Sequence, residues 1–358
     1  YAKQNSTDIF IKIDITNRNR VAAPITVLPT LWFYNRWIYS PGNVKPAISL
    51  LNKTAVKTEH GHLGNYYFYF QPADDRLFTE NETNFSKVTG SKNKTVFTKD
   101  AFHDAIISGT NRTKLRTKKE GTKFSPVYEL SVNAGETKTI YCRLTDQETG
   151  DPFLNGFENI FTLRKQEADD FYNSILPATF SPDLKNIQRK ALAGLLWSKQ
   201  FYHFDVKRWL TTGDGITEVN EGKQNGRNKE WVHLKNQDVI AMPDKWEYPW
   251  YAAWDLAFHC ISMAMVDVSF AKHQLQLIMR EWYMKPDGQL PAYEWNFSDV
   301  NPPVQAWAAM EIYRIEKERF GEGDVIFLKK VFQKLLINFT WWINRKDRSG
   351  NNIFEGGF

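Results

Sequence analysis

The stretch KWEYPWYAAWDLAFH, residues 245–259, decides how the rest of the chain is read. Three tryptophans and two tyrosines crowd around an Asp-Leu-Ala-Phe-His step that reads as the opening of a buried helix. Early in that helix, Asp255 complements the positive end of the helix dipole, which is a sufficient structural reason for an acid there. Its company adds a functional reading. Trp250, Tyr251 and Trp254 precede it, and His259 follows four residues later on the same helical face. Aromatic faces cover the apolar C–H side of a pyranose, and a carboxylate accepts bonds from its hydroxyls.

Downstream of this stretch, helical periodicity recurs over 249–268, 269–283, 303–320 and 324–343, with Pro249 in a first helical turn. A motif-bearing loop, KPDGQLPAYEWNFSDVNPP at 285–303, separates the second helix from the third. Long helices joined by rich loops predict a helical toroid, without a short solenoid-type repeat.

Upstream, residues 183–201 predict an amphipathic helix with Ile187, Ala191, Leu195, Leu196 and Trp197 on its apolar face. The Gly- and Asn-rich loop 211–228 is too long for a simple connector. Residues 161–176 are charged and helical, and prolines 177 and 182 close them. Before residue 145 the period is two. Strands are expected over DIFIKIDIT (8–16), PITVLPTLWF (24–33, at an edge or bulge because of its prolines), NYYFYF (65–70), VYELSV (127–132) and TKTIYCRL (137–144). Asn133-Ala-Gly-Glu136 between the last two reads as a hairpin turn. The predicted fold is thus multidomain β plus α, an antiparallel β-sandwich followed by a helical toroid, which the family resemblance given below implies to be a partial (α/α)6 barrel. Its expected division is an incomplete sandwich at 1–150, a helical linker at 151–182 and the first part of the barrel at 183–358.

A chain of 358 residues exceeds one ordinary core. Its aromatic fraction of 15% and its thirteen tryptophans fit either a large aromatic core or a protein that handles ring-shaped ligands. The net charge of +5 is dispersed, and no basic block forms a nucleic-acid face. The nearest candidate, 112–123, is read as a solvated hairpin edge. Two cysteines, Cys142 and Cys260, fall in different expected domains and make no disulfide framework. No run is apolar enough for a membrane span, and a cytoplasmic setting is favoured over a periplasmic or secreted one. Asn-x-Ser/Thr triplets such as those at Asn93 and Asn338 arise by chance in so Asn- and Lys-rich a chain. The chain opens on Tyr1 and closes inside IFEGGF, and is read as cut at both ends.

No Cys-x-x-Cys, His-Glu-x-x-His, Gly-x-Ser-x-Gly or phosphate-binding glycine loop is present. No cofactor and no metal are expected; the oxygen-rich run 347–355 has its glycine misplaced for a calcium loop. Taken alone, His259 reads as a hydrogen-bonded core histidine and Glu294 as an exposed loop acid. Asn301 precedes two prolines, which hold it extended at the mouth of the next helix. There its amide can both donate to and accept from a hydroxyl. Trp307, one turn in, offers either a pocket wall or core.

Taken together and in this order, WEYPWYAAWDLAFH (246–259), GQLP (288–291) and NPPVQAW (301–307) resemble family 63 of the glycoside hydrolases, the family of mannosyl-oligosaccharide glucosidase and its bacterial relatives. The resemblance covers most of the chain. It implies a β-sandwich followed by an (α/α)6 barrel and inverting hydrolysis of α-glycosidic bonds, with an oligosaccharide or small glycoside as substrate. Inversion needs two carboxyl groups roughly 6.5–9.5 Å apart. The resemblance implies that the aspartate of the early Trp-Asp motif, here Asp255, holds sugar hydroxyls and is the less favoured choice for the acid. Both acid and base are expected beyond Phe358, so the isolated chain is expected to be inactive. Its unpaired helix faces are expected to leave it poorly stable. Substrate contacts are expected from Asp255, Trp250, Tyr251, Trp254, His259, Glu294, Asn301 and Trp307. Three rivals stay open: a non-catalytic carbohydrate-binding protein, a hydrolase of mannosylglycerate-type small glycosides, and a purely structural helical scaffold.

Overall fold

The computed structural model describes residues 1–38, 44–153, 156–211, 221–242, 244–248, 250–347, 349–351 and 353–354. Pro249, residues 212–220 of the long loop, positions 348, 352 and 355 of the oxygen-rich run, and Phe358 lie outside the described residues. The chain forms two compact units, Tyr1–Asp170 and Phe171–Phe358.

The first unit opens with strands β1 (Ala2–Asn5), β2 (Asp8–Thr16), β3 (Ala23–Val27), β4 (Leu31–Trp32), β5 (Ala47–Asn52), β6 (Ala55–His60), β7 (Gly64–Phe70) and β8 (Asp75–Thr79). Three short helices follow: α1 (Phe85–Val88), α2 (Ala101–Ile107) and α3 (Arg112–Thr117). Strands β9 (Glu120–Gly121), β10 (Lys123–Val132) and β11 (Thr137–Thr145) complete the β region. All pairings are antiparallel. A seven-stranded sheet runs β1-β2-β11-β7-β6-β5-β9, and a four-stranded sheet runs β3-β10-β4 with β8 also on β10. Alternation puts Phe68, Phe70, Ile140 and Cys142 of the larger sheet into one core with Phe78, Phe124 and Tyr128 of the smaller. The two sheets are therefore layered on a shared aromatic interior.

Two expectations change in this unit and one holds. Asn133–Glu136 makes a turn, with the Glu136 N–H on the Asn133 carbonyl at 3.1 Å, but the strands it joins do not pair. It carries the chain from one sheet to the other. The basic segment 112–123 is not a hairpin edge. Its first half is helix α3, whose Leu115 is buried with Leu77 and Val127 on the outer face of the smaller sheet. Arg112 and Arg116 pair with Asp75, so the local charge is partly neutralised. The prolines of the 24–33 run do mark an edge, since Pro24 lies opposite Ser131 on the terminal strand β3.

Helix α4 (Phe157–Ile175) crosses the boundary between the units. The second unit continues with α5 (Pro182–Trp197), β12 (Lys199–Asp205), α6 (Val206–Thr211), α7 (Glu221–Gln224) and β13 (Lys235–Ala241). Helices α8 (Ala253–Met263), α9 (Val268–Ile278), α10 (Val304–Phe320) and α11 (Val325–Lys346) close it. Serine 181 caps α5 through Leu184, and Asp267 and Asp324 cap α9 and α11 in the same way. The inward face of α5 centres on Leu192 rather than on the predicted stripe: Ile187, Ala191 and Trp197 are exposed. The helix also stops before 201. The aromatic run 199–205 pairs as strand β12 with β13, a hairpin the helical reading swallowed.

In α8 the buried residues are Ala253, Leu256, Ala257, Cys260 and Met263, a helical stripe facing α9 and α10. Buried Gln274 of α9 donates to the Val239 carbonyl at 2.9 Å and accepts from the Ala241 N–H at 3.1 Å, tying the hairpin to the helices. Lys272 reaches Glu316 at 2.7 Å and Asp324 at 2.9 Å, which joins α9 to α10 and to the start of α11. Both cysteines are buried and free. No helix among the described residues is long and apolar enough to cross a membrane. Asn338 is buried and donates to the Gly288 carbonyl, so its triplet serves packing.

Candidate functional site

The motif residues converge because two segments pair. The Ala253 N–H donates to the Ala292 carbonyl at 2.8 Å, and the Glu294 N–H donates to the Tyr251 carbonyl at 3.2 Å. Ala252 forms a β-bridge with Tyr293. The opening of α8 and the loop 285–303 thus lie side by side, although forty residues separate them in sequence. The loop is pinned behind by Gly288. Its φ is +96°, and a β-carbon there would stand 2.5 Å from the Ile337 carbonyl oxygen of α11. Glycine alone fits both demands.

Asp255 sits in the first turn of α8, half-buried. Burial raises its pKa above the usual carboxylate value; its own backbone and His259 work against that rise. His259 is likewise half-buried. Burial lowers its pKa, opposed by Asp255 and by the Met242 carbonyl. Its Nδ1 is buried with no hydrogen-bond partner. Two groups that desolvation pushes toward neutrality therefore share one helix face.

Beside them lies an aromatic wall. Trp250 stands edge-on to Trp295 at 5.9 Å and to Tyr248 at 5.2 Å. Trp254, Phe258 and Trp307 form a second chain, with centroid distances of 6.0 and 5.7 Å. Trp295 and Trp307 are each about half exposed, at 52% and 51%. Tyr251 behaves differently. It is fully buried against Tyr283 and Phe297, so its ring belongs to the core, although its hydroxyl finds no partner.

Glu294 is not the free loop acid that its setting in sequence implies. Tyr202 of β12 donates its hydroxyl to Glu294 Oε2, and Arg227 lies 4.0 Å from Oε1. The Arg227 guanidinium stacks over Trp295 at 4.0 Å and lies 5.5 Å from the Trp209 ring. Asn228, in the left-handed region at φ +63°, donates to the Glu294 carbonyl at 2.6 Å and accepts from the Phe297 N–H at 2.9 Å. Burial and Glu294 together push the Tyr202 phenol pKa far up, so it remains a donor. Sequence reasoning missed this group of Tyr202, Arg227 and Asn228. The β-favouring run QFYHF was a usable signal for Tyr202, whereas nothing around Arg227 marked it.

Asn301 leads into α10 with both side-chain polar atoms buried and unpaired. It borders a cavity of about 20 Å³, also lined by Ala253, Asp299, Gln305 and Asn338, which has room for a water-sized group. An amide orphaned in this way is costly unless something else bonds it. Among the described residues, no group of three or more His, Cys, Asp or Glu side chains converges as metal ligands would. In the oxygen-rich run, Asp347 Oδ1 accepts from the Asn351 N–H at 3.0 Å.

Residues 248–356 match the family described as the mannosylglycerate hydrolase MGH1-like glycoside hydrolase domain. The matched region contains the α8 opening, the loop 285–303 and helices α9 to α11. This stretch is therefore similar to a glycoside hydrolase domain. The likeness is to that broader class rather than to family 63 in particular. The uncharacterized protein YMR196W of Saccharomyces cerevisiae is 40% identical over 395 residues, covering 99% of this chain. The chain spans 36% of that relative's length. A solved structure described as a kojibiose phosphorylase from human microbiome aligns over 92% of this chain and 41% of its own. At 11% identity and a TM-score of 0.22, that alignment carries no argument about this chain.

Proposed function

We propose that this chain forms the sugar-holding wall of a glycoside hydrolase that cleaves α-linked glucose or mannose with inversion. In this reading 1–150 is a β-sandwich domain, 151–182 a helical linker, and 183–358 the first part of an (α/α)6 barrel. Asp255 accepts hydroxyl hydrogen bonds from the sugar. Trp250, Trp254 and Trp307 present ring faces, while His259, Glu294 and Asn301 bond the remaining hydroxyls. Tyr251 supports the wall from behind.

The observation that carries the reading is the placement of Asp255. A carboxylate kept half-buried, without an ion pair among the described residues, costs stability. Such costs concentrate where a ligand repays them. Here the carboxylate stands in the stretch that matches a glycoside hydrolase domain. Calorimetry with methyl α-glucoside and methyl α-mannoside tests it. The 358-residue chain should bind one of them, and Asp255→Asn should weaken binding by ten- to a hundred-fold, the loss of one charge-assisted hydrogen bond. Unchanged affinity removes the anchor role. Proton transfer is assigned to carboxyl groups other than these, so robust turnover of a nitrophenyl α-glucoside by this chain overturns that division of labour.

A second reading, hydrolysis of a small acidic glycoside such as a mannosylglycerate, is favoured by Arg227. It brings a cation onto Trp295 and Glu294 in the loop cluster. A carboxylate-bearing leaving group needs such a fork. Arg227→Leu should then weaken mannosylglycerate binding and leave methyl α-mannoside unchanged.

A further inference from the structure

The first unit carries a cleft that the site above does not use. It measures about 620 Å³, within the range of small-molecule sites, and is lined by Trp32, Tyr34, Asn35, Asn81, Lys99 and Lys123. Trp32 and Tyr34 are 54% and 74% exposed, while Phe33 between them turns inward, so the two rings share one face of an extended segment. Large aromatic side chains held in water at alternate positions are costly for a fold to keep and useful to a ring-shaped ligand.

The polar lining points to a ligand as well. Asn35 Oδ1 is buried and has no partner. Asn81 fixes the floor: its side-chain amide donates to the Phe33 carbonyl at 2.9 Å, and its backbone N–H donates to Thr122 Oγ1 at 2.7 Å. The charged groups lining the cleft are both lysines. Lys123 is held by the Lys99 carbonyl at 2.7 Å and lies over the Phe102 ring at 4.3 Å. Burial, then the Lys99 cation, lower its pKa, against Asp100. The nearby acids are engaged elsewhere. Asp100 accepts from Asn84 and Thr98, Glu80 takes Lys45 and the Thr122 hydroxyl, and Glu82 accepts from the Trp37 indole. Among the described residues neither Lys99 nor Lys123 has an ion-pair partner.

We propose that this cleft is a second carbohydrate site, which takes a saccharide bearing a carboxylate, with the ring on Trp32 and Tyr34 and the acid between Lys99 and Lys123. Side-chain amides meet sugar hydroxyls as both donors and acceptors. The choice of a saccharide over other acidic ring compounds rests on the glycoside hydrolase reading of 248–356.

Isothermal calorimetry on the 358-residue chain tests it, with a glucuronic-acid-terminated trisaccharide, neutral maltotriose and ATP as ligands. The acidic trisaccharide should bind best. Lys99→Met should weaken it about ten-fold and Trp32→Ala should abolish it, while Asp255→Asn leaves it unchanged. Lys99 is exposed, so that variant tests the cleft even if Trp32→Ala fails to fold. Equal binding of the neutral sugar, tighter binding of ATP, or no effect of Lys99→Met overturns the proposal. Binding lost in Asp255→Asn but kept in Trp32→Ala assigns the sugar to the helical unit and also overturns it. Binding here with none at Asp255 instead refutes the function proposed for the helical unit.

Discussion

Replacing Gly288 by alanine should disrupt the joint that presents Glu294 and Trp295. Two separable effects act there. The backbone sits at φ +96°, where an L-residue pays about 1–3 kcal/mol. The new β-carbon would also stand 2.5 Å from the Ile337 carbonyl oxygen and 2.9 Å from its carbon. Both are backbone atoms of α11, which move only with the helix, and overpacking of this kind costs about another 1–3 kcal/mol. At roughly 2–4 °C per kcal/mol for a unit of this size, the sum of about 2–6 kcal/mol lowers its melting temperature by roughly 4–24 °C. Differential scanning calorimetry is the assay, because two compact units can melt separately and the β unit then serves as an internal control. Gly288→Asn sharpens the test. Asparagine tolerates the left-handed region but carries the same β-carbon, so it should recover little if the collision dominates. Asn338→Ala, which removes the bond to the Gly288 carbonyl, should add less in combination than alone, since both act on one joint. A helical-unit transition that shifts by less than about 2 °C in Gly288→Ala refutes the reasoning.

Three further outcomes follow from the same geometry. Because the pKa of Asp255 is raised in the fold, the native state holds its proton more tightly than the unfolded chain does, and stability falls as pH rises above the ordinary value of 3.8. Asp255→Asn should therefore melt higher than the parent at pH 7 and show no gain near pH 3, as thermal scans across pH would reveal. Lys272→Met leaves Glu316 and Asp324 without their shared cation and should cost about 1–3 kcal/mol, between the exposed and fully buried ranges. Asp324, held by Lys272 below its usual pKa, contributes stability above pH 3.8 that disappears as pH falls, so this variant should also lose part of its acid sensitivity in urea titrations. Tyr202→Phe removes the hydroxyl on Glu294 and, if Glu294 bonds a sugar, should change sugar affinity at least several-fold in calorimetry while the fold persists.

Helices and long strands were legible because their periodicity is local. The DIFIKIDIT strand is bounded as predicted, and the last three helices are displaced by only a few residues, apart from an early stop after Ile278. What escaped was decided by tertiary partners. The run 112–117 looks polar and hairpin-like, yet Leu115 alone recruits it as a helix onto Leu77 and Val127. Strand β10 is buried on both faces, with Phe124 and Tyr128 toward one core and Val127 toward another, so its alternation is hidden and its turn to β11 mimics a hairpin. The QFYHF strand was absorbed into a helix because the apolar count rose just where the period changed.

The same distinction governs the site. Asp255, His259 and the aromatic residues around them were visible because one helix and its approach carry them together. Glu294 was visible as a residue but not as a state. Its ordinary loop setting gives no hint that Tyr202 and Arg227, from two other segments, hold its carboxylate. This bears on chemistry. A carboxylate that already accepts a phenol hydroxyl and faces a guanidinium is fixed in place, with lone pairs to spare for a ligand hydroxyl. Asp255 is held differently: burial raises its pKa, against the opposing effects of its own backbone and of His259. The pairing of 251–253 with 292–294 thus brings into one region two carboxylates with different surroundings, one held by groups from other segments and one half-buried on a helix. The sequence motif names both residues, but only the assembled fold shows how differently each is held.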